Sequence, residues 1–272
     1  VLVSMNVRMN LVQWSLVMLP ILSLAQPKQL VTSARPTATR ALSSTAATTE
    51  RNTAKAESTA SDSATPESAG SANTLPLFGE RPKTAAQIDQ EIHFLNDCDR
   101  NFASRPEASD FFAARGWDYV MKGDLDTAAH RFNLAWLLNA QNADAYWGLG
   151  VVCYQKDNTT DAIRMLKRGV AIADTNTVLM TDLATLQIKN YQDKADPSDL
   201  AEAEQYLQKS LAIGPALATS YQKLSLVNFL KTDYDKAWEY FHQAYTLDFS
   251  ILDLTYLADL QAKRPDPKGV FK

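Results

Sequence analysis

The stretch AYWGLGVVCYQKDNTTDAIRMLKRG (residues 145–169) decides how the chain is read. It combines a Gly-Leu-Gly, a cysteine and aromatic side chains, so a nucleotide loop, a redox site and plain helical architecture all compete for it. A dinucleotide loop needs glycines that end a strand and open a helix, with a third glycine in register. Here Tyr146, Leu149, Gly150 and Cys153 recur at three and four residues, the spacing of one helix face. After a break at Asp157 and Asn158, Ala162, Leu166 and Gly169 do the same. Gly148 and Gly150 therefore belong to a helical pattern, and small residues at Gly150 and Ala162 let paired helices approach closely. Asn158 or Thr159 is placed to cap the second helix by accepting a bond from an orphan backbone N–H.

The pattern repeats. Residues 116–138 lie over residues 150–172 without a gap, which puts Gly116 on Gly150, Ala128 on Ala162 and Phe132 on Leu166, each 34 apart. Leu149 pairs with Leu183 at 34, but Ala162 pairs with Ala203 at 41. Ala203 then meets Ala237, and Leu207 meets Phe241, at 34 again. The period is thus 34 with one insertion of seven residues, and the polar stretch NYQDKADP (190–197) is where it fits. Seven residues make about two helical turns, so either the helices lengthen there or a loop bulges.

These residues resemble the tetratricopeptide repeat family, whose unit is a 34-residue helix–turn–helix. The first unit (109–142) carries Phe112, Gly116, Tyr119, Ala128, Phe132 and Ala135, and the second (143–176) Tyr146, Leu149, Gly150, Ala162 and Leu166. The expanded third unit (177–217) has Leu183, Ala184, Ala203, Leu207 and Pro215, and the fourth (218–251) Tyr221, Leu224, Ala237, Phe241 and Ala244. The family's terminal proline is kept only at Pro215, its other positions being Ala140, Asp174 and Phe249. The resemblance implies an all-α, right-handed solenoid of about four helix pairs. A leading segment and helix (75–108), with Ile88, Ile92 and Leu95 on one face, precede the pairs. A packing helix stopped by Pro265 and a tail (252–272) follow them. One hairpin cannot bury its apolar face alone, and at least three stacked units make a continuous core.

The resemblance also implies a function: members hold an extended peptide or another protein on the inner face of their first helices. By register that face presents Trp117, Val120, Trp147, Val151, Tyr154, Thr185, Ile188, Leu226 and Phe229. Such rings bury much area at little entropic cost, although some of them are also placed to pack against neighbouring helices. The clamp by which some members grip a chaperone's terminal carboxylate needs Lys, Asn and Arg. This chain has Ala113, Trp117, Gly148, Val178 and Asp182 there, which points to an apolar or mixed ligand segment. LPLF (75–78) is such a segment, placed either to dock in the groove as a latch or to cap the first helix pair. The expected role is a non-catalytic scaffold or adaptor of the cell envelope, with a protein or peptide partner and no cofactor. The alternative is a self-associating assembly component, with the tail 264–272 either loose or bound by another copy.

Composition sets the surroundings. From residue 31 to 73, Ser, Thr and Ala supply 28 of 43 residues, with no aromatic, so the stretch cannot bury enough apolar surface to offset ordering; residues 26–74 read as a tether. Arg8, the mostly apolar run 11–24 and Ser23-Leu24-Ala25 read as a secretory signal peptide cleaved after Ala25, leaving no stable membrane span and an exported, periplasmic or secreted chain. The run is too short, and too interrupted by Gln13 and Pro20, for the ~20 apolar residues of a spanning helix. A net charge of −4, with bases scattered among acids, disfavours nucleic acid. Export would permit a bridge between Cys98 and Cys153, but the helix position of Cys153 favours a buried thiol. His93, His130 and His242 stand apart, and no metal or nucleophile motif surrounds them. Carboxylates such as Asp97, Asp99, Asp233 and Asp235 fall near helix starts and turns, where capping accounts for them.

Overall fold

The computed structural model describes residues 72–271, so the signal-peptide reading and all but the last residues of the tether lie outside the described region. The described residues are helical with no strand. After a single turn at Pro76–Glu80, α1 (Ala85–Asn101) leads into four helix pairs: α2 (Arg105–Lys122) with α3 (Leu125–Leu138), α4 (Ala143–Gln155) with α5 (Thr159–Ile172), α6 (Thr177–Lys194) with α7 (Pro197–Ile213), and α8 (Ala218–Leu230) with α9 (Tyr234–Leu247). A short turn, Phe249–Ile251, precedes α10 (Leu254–Lys263).

Local chemistry sets these boundaries. The side chains of Asp124, Asn158 and Asp233 each accept a backbone N–H at the start of a second helix, and Asn158 rather than Thr159 makes the cap in the second pair. Gly123, Asp157, Ala195 and Thr232, just beyond the first helices, all have left-handed φ. The repeat therefore imposes this turn whether or not glycine is present. The seven inserted residues lengthen the helices: α6 has 18 residues against 13 in α4, and α7 has 17 against 14 in α5. The turn between them shrinks by one residue. Both helices grow together, and near the lengthened ends Asn190 Nδ2 donates to Asp199 Oδ2 at 2.8 Å.

Helices pack within each pair and then against the next pair, and the core runs as four successive clusters along the stack. First helices α2 and α4 touch each other, as do α6 and α8, whereas no two second helices pack as closely. The first helices therefore line the inner, concave side. Phe132, fully buried on α3, shows why small residues stand where they do. A methyl on Gly116 would lie 2.7 Å from its ring, and one on Gly148, in the next pair, would overlap it. Gly150 is equally constrained, by Leu166 at 2.6 Å. The glycines of the opening stretch are seats for side chains of neighbouring helices.

The ends differ from expectation. On α1 the buried residues are Phe94 and Cys98, while Ile88 and Ile92 are about half exposed. The Phe94 ring meets Phe112 edge-on at 5.4 Å, which fixes the rotation of the helix and turns the isoleucines outward. Cys98 and Cys153 are free, buried thiols, both pushed up to about 12, chiefly by burial. The C-terminal tail is not loose. Asp266 accepts the backbone N–H groups of Lys268, Val270 and Phe271, and the Phe271 ring settles among Trp238, Phe241, His242 and Tyr245.

Candidate functional site

The concave face is carried by α2, α4, α6 and α8, whose side chains at successive repeat positions form a ladder. Trp117, half-buried, meets Phe132 edge-on at 5.2 Å and Trp147 at 5.5 Å. The Trp147 indole Nε1 donates to Asp182 Oδ2 at 2.8 Å, which ties α4 to α6 across the face. Thr185 donates its hydroxyl to the carbonyl of Thr181, one turn back. Tyr154 is half-buried, and burial raises its phenol; Lys189 opposes that shift and Asp193 adds to it. Phe229 stacks edge-on with Tyr234 and Tyr256 at 5.7 and 5.5 Å.

The nine positions expected on this face divide by depth. Trp147, Val151 and Ile188 are buried, at 6%, 1% and 3% exposure. Trp117, Val120, Tyr154, Thr185, Leu226 and Phe229 are half-buried. The residues expected to pack the repeat, namely Gly116, Ala128, Phe132, Gly150, Ala162, Leu166, Ala203, Leu207, Ala237 and Phe241, all lie in the interior.

Of the polar groups on this side, the sequence marks Asp182 as a clamp position and does not single out Lys223. Asp182 is buried where the family's clamp would have a basic or amide side chain. Lys223, on α8, has its ammonium lowered by burial, while the charges of Asp182 and Asp253 work the other way. An opposed aspartate and lysine on α6 and α8 were not legible because the insertion breaks the register between those helices.

The other histidines and carboxylates have local explanations. His242 is not alone: its Nε2 lies 2.8 Å from Asp266, and its ring stacks with Trp238 at 5.5 Å and Phe271 at 5.8 Å, two rings that also stack with each other at 6.1 Å. Burial would raise the Asp266 carboxyl, but the N–H groups of Phe271 and Lys268 and the bond to His242 outweigh it and hold it at about 2. The pair pins the tail to α9. His130 is lowered to about 4, first by burial and then by the neighbouring Arg131. Asp99 pairs with Arg105 at 2.9 Å and Asp97 with Arg100 at 3.2 Å. No group of three or more His, Cys, Asp or Glu among the described residues is arranged to hold a metal ion. No helix among them is long and apolar enough to cross a membrane.

A second surface lies on the second helices. Residues 75–78 do not enter the concave face; they sit on α3 and α5. Leu77 is buried in the core beneath α3, and Phe78 approaches Trp136 at 6.4 Å between ring centres. Asn133 Oδ1 accepts the Leu77 N–H at 2.8 Å, and its Nδ2 donates to the carbonyls of Asn73 and Leu75, both at 2.8 Å. Glu80 pairs with Arg164 and, at 2.8 Å, with Arg168 on α5. A buried asparagine on the second helix draws the segment there, because its amide bonds at that depth go to the segment's backbone.

No protein-family model matches the sequence, and no curated protein matches it. Solved structures do. The chain is similar to a structure described as a functional characterisation of Pseudomonas aeruginosa pilF, with 20% identity, a TM-score of 0.51, and 62% of this chain and 79% of that one covered. It is similar also to PilW, described as a widely conserved type IV pilus biogenesis factor, at 16% identity and a TM-score of 0.50, over 68% of this chain and 83% of that one. A weaker likeness is to YrrB, described as a TPR protein with an unusual peptide-binding site, at 18% identity and a TM-score of 0.47, over 64% and 86% of the two chains. At these identities what is shared is the fold. With its paired helices and 34-residue step, the chain has the all-α helical-repeat fold of tetratricopeptide proteins.

Proposed function

We propose that the chain is a non-catalytic protein-interaction scaffold that holds an extended peptide or protein segment along the concave side of α2, α4, α6 and α8. The observation that carries this reading is the ladder of half-buried side chains, Trp117, Val120, Tyr154, Thr185, Leu226 and Phe229, on successive first helices. A row of partly covered apolar and aromatic groups gains most from a ligand that completes its burial. Lys223, partly exposed on α8, adds a cation to the middle of the row, while the fully buried Asp182 accepts from Trp147. That suits a mixed segment better than a purely apolar one.

The leader-like residues 8–25 support export and an envelope location for the scaffold. Together with the Ser/Thr/Ala-rich 31–73, they favour a repeat domain carried on a tether.

The test is cross-linking and affinity capture from the native cell envelope, comparing the natural chain with a Tyr154→Glu, Leu226→Glu variant of unchanged helix content. A defined protein captured by the first and lost from the second is the expected result. Equal capture by both would move the interface off the concave side and sink the reading.

A further inference from the structure

Residues 73–80 are held on the outer side of α3 and α5 as a peptide is held by a receptor. Asn133 is fully buried, and its side chain makes three bonds to main-chain groups of this segment, at residues 73, 75 and 77. Bonds to main-chain groups fix the register of the segment on α3 whatever its side chains. Specificity comes from what flanks them. Leu77 fills an interior position at 2% exposure, Phe78 meets Trp136, and the Glu80 carboxylate lies between Arg164 and Arg168. Arg164 is itself held by Asp161 at 2.8 Å, so one guanidinium of the pair is preorganised.

The segment does not set its own shape. Leu77, Phe78, Gly79 and Glu80 have φ of 53°, 55°, 76° and 51°, four left-handed residues in succession, and only one is glycine. L-residues avoid such a run when free, so the surface imposes it. The extended residues 81–84 then separate the segment from α1. A turn under backbone strain, anchored by a buried amide whose side-chain bonds go to the segment itself, is a ligand that can leave and be replaced.

We propose that this outer face is a second peptide-binding site, built for a Leu-Pro-Leu-Phe segment followed two residues later by a carboxylate, and that the same segment of a second copy of the chain enters it when the resident one is displaced. The inference does not rest on the concave-face reading, because it uses other helices and other side chains.

The experiment uses the full chain carrying Leu77→Asp and Glu80→Lys, which weaken the resident segment, and a fluorescein-labelled synthetic peptide of residues 72–83. Saturable binding to this variant, at least tenfold tighter than to the natural chain, is expected. Adding Asn133→Ala should weaken it a further tenfold or more. Should that substitution disturb folding, Arg164→Glu with Arg168→Glu, at partly exposed positions and combined with Leu77→Asp alone, gives the same test: natural peptide lost, and binding regained by a peptide carrying Glu80→Lys. Absence of binding to the variant at unchanged helix content would overturn the proposal. So would equal binding to natural and variant chains, or binding indifferent to both the Asn133 and the arginine substitutions.

Discussion

The junction between the first and second helix pairs and that between the third and fourth fill similar narrow spaces with opposite chemistry. At the first, the Phe132 ring presses against Gly116 and Gly148, and no side chain beyond hydrogen fits beside it. At the second, Thr181, Ser210 and Ser220 meet with hydroxyl oxygens 2.8 to 3.4 Å apart, all three residues fully buried. Thr181 and Ser210 both also donate to the carbonyl of Thr177. The ring junction is held by shape, and shape tolerates no addition. The hydroxyl junction is held by bonds that can be redistributed when one member is lost.

Gly148→Ala is the sharpest way to break that contrast, since the new methyl would overlap the Phe132 ring. A loss of about 3 kcal/mol or more in urea unfolding is expected from overpacking at a rigid site. Adding Phe132→Leu should return part of that loss, because the smaller side chain vacates the space the methyl needs. If Gly148→Ala unfolds like the natural chain, the junction is looser than its geometry states.

Acid acts on the helix that carries the Phe132 ring. His130 lies on α3, beside the ring junction, and its folded-state value of about 4 is below the unfolded 6.5. The unfolded chain therefore binds the extra proton as pH falls from 6.5 towards 4, and stability declines over that window while remaining full above it. Solvent reaches the partly buried ring, so the expected decline is roughly 1–2 kcal/mol rather than the whole shift. Urea midpoints at pH 7 and pH 4.5 measure it, and His130→Gln should flatten the difference. A slope unchanged by that substitution would place the acid sensitivity elsewhere.

The smallest effect belongs to the hydroxyl junction. Ser220→Ala should cost about 1 kcal/mol, since Thr181 and Ser210 keep each other and the Thr177 carbonyl. Ser210→Ala combined with Ser220→Ala should cost less than the two single losses added. Strict additivity would mean that the three hydroxyls act as separate bonds rather than a network.

The helix pairs were legible because burial writes itself into spacing. Ala128, Phe132, Ala162 and Leu166 recur at fixed steps because each must face the same neighbour in every unit. The rotation of α1 was not legible. Its isoleucines satisfy the helical period as well as Phe94 and Cys98 do, and only the Phe112 ring on α2 chooses between them. On the concave face the register of Trp147, Val151 and Ile188 could be read, but their depth could not. Depth depends on how closely adjacent first helices approach, and the indole bond to Asp182 spans 35 residues of chain.

The sequence by itself determined an all-α stack with a 34-residue step, one enlarged unit and small residues where helices meet. These are properties of local periodicity, repeated often enough to outweigh any single ambiguous residue. Only the tertiary structure decided where the two terminal segments lie. Residues 73–80 lie along α3 and α5 because Asn133 presents bonding groups to a passing backbone, and Phe271 lies on α9 because His242 holds Asp266 and the aromatic rings of α9 receive the phenyl ring. Neither partner shares a period with the segment it holds. A contact between an aperiodic segment and a distant helix leaves no trace in spacing, and its site becomes visible only when the chain has closed around it.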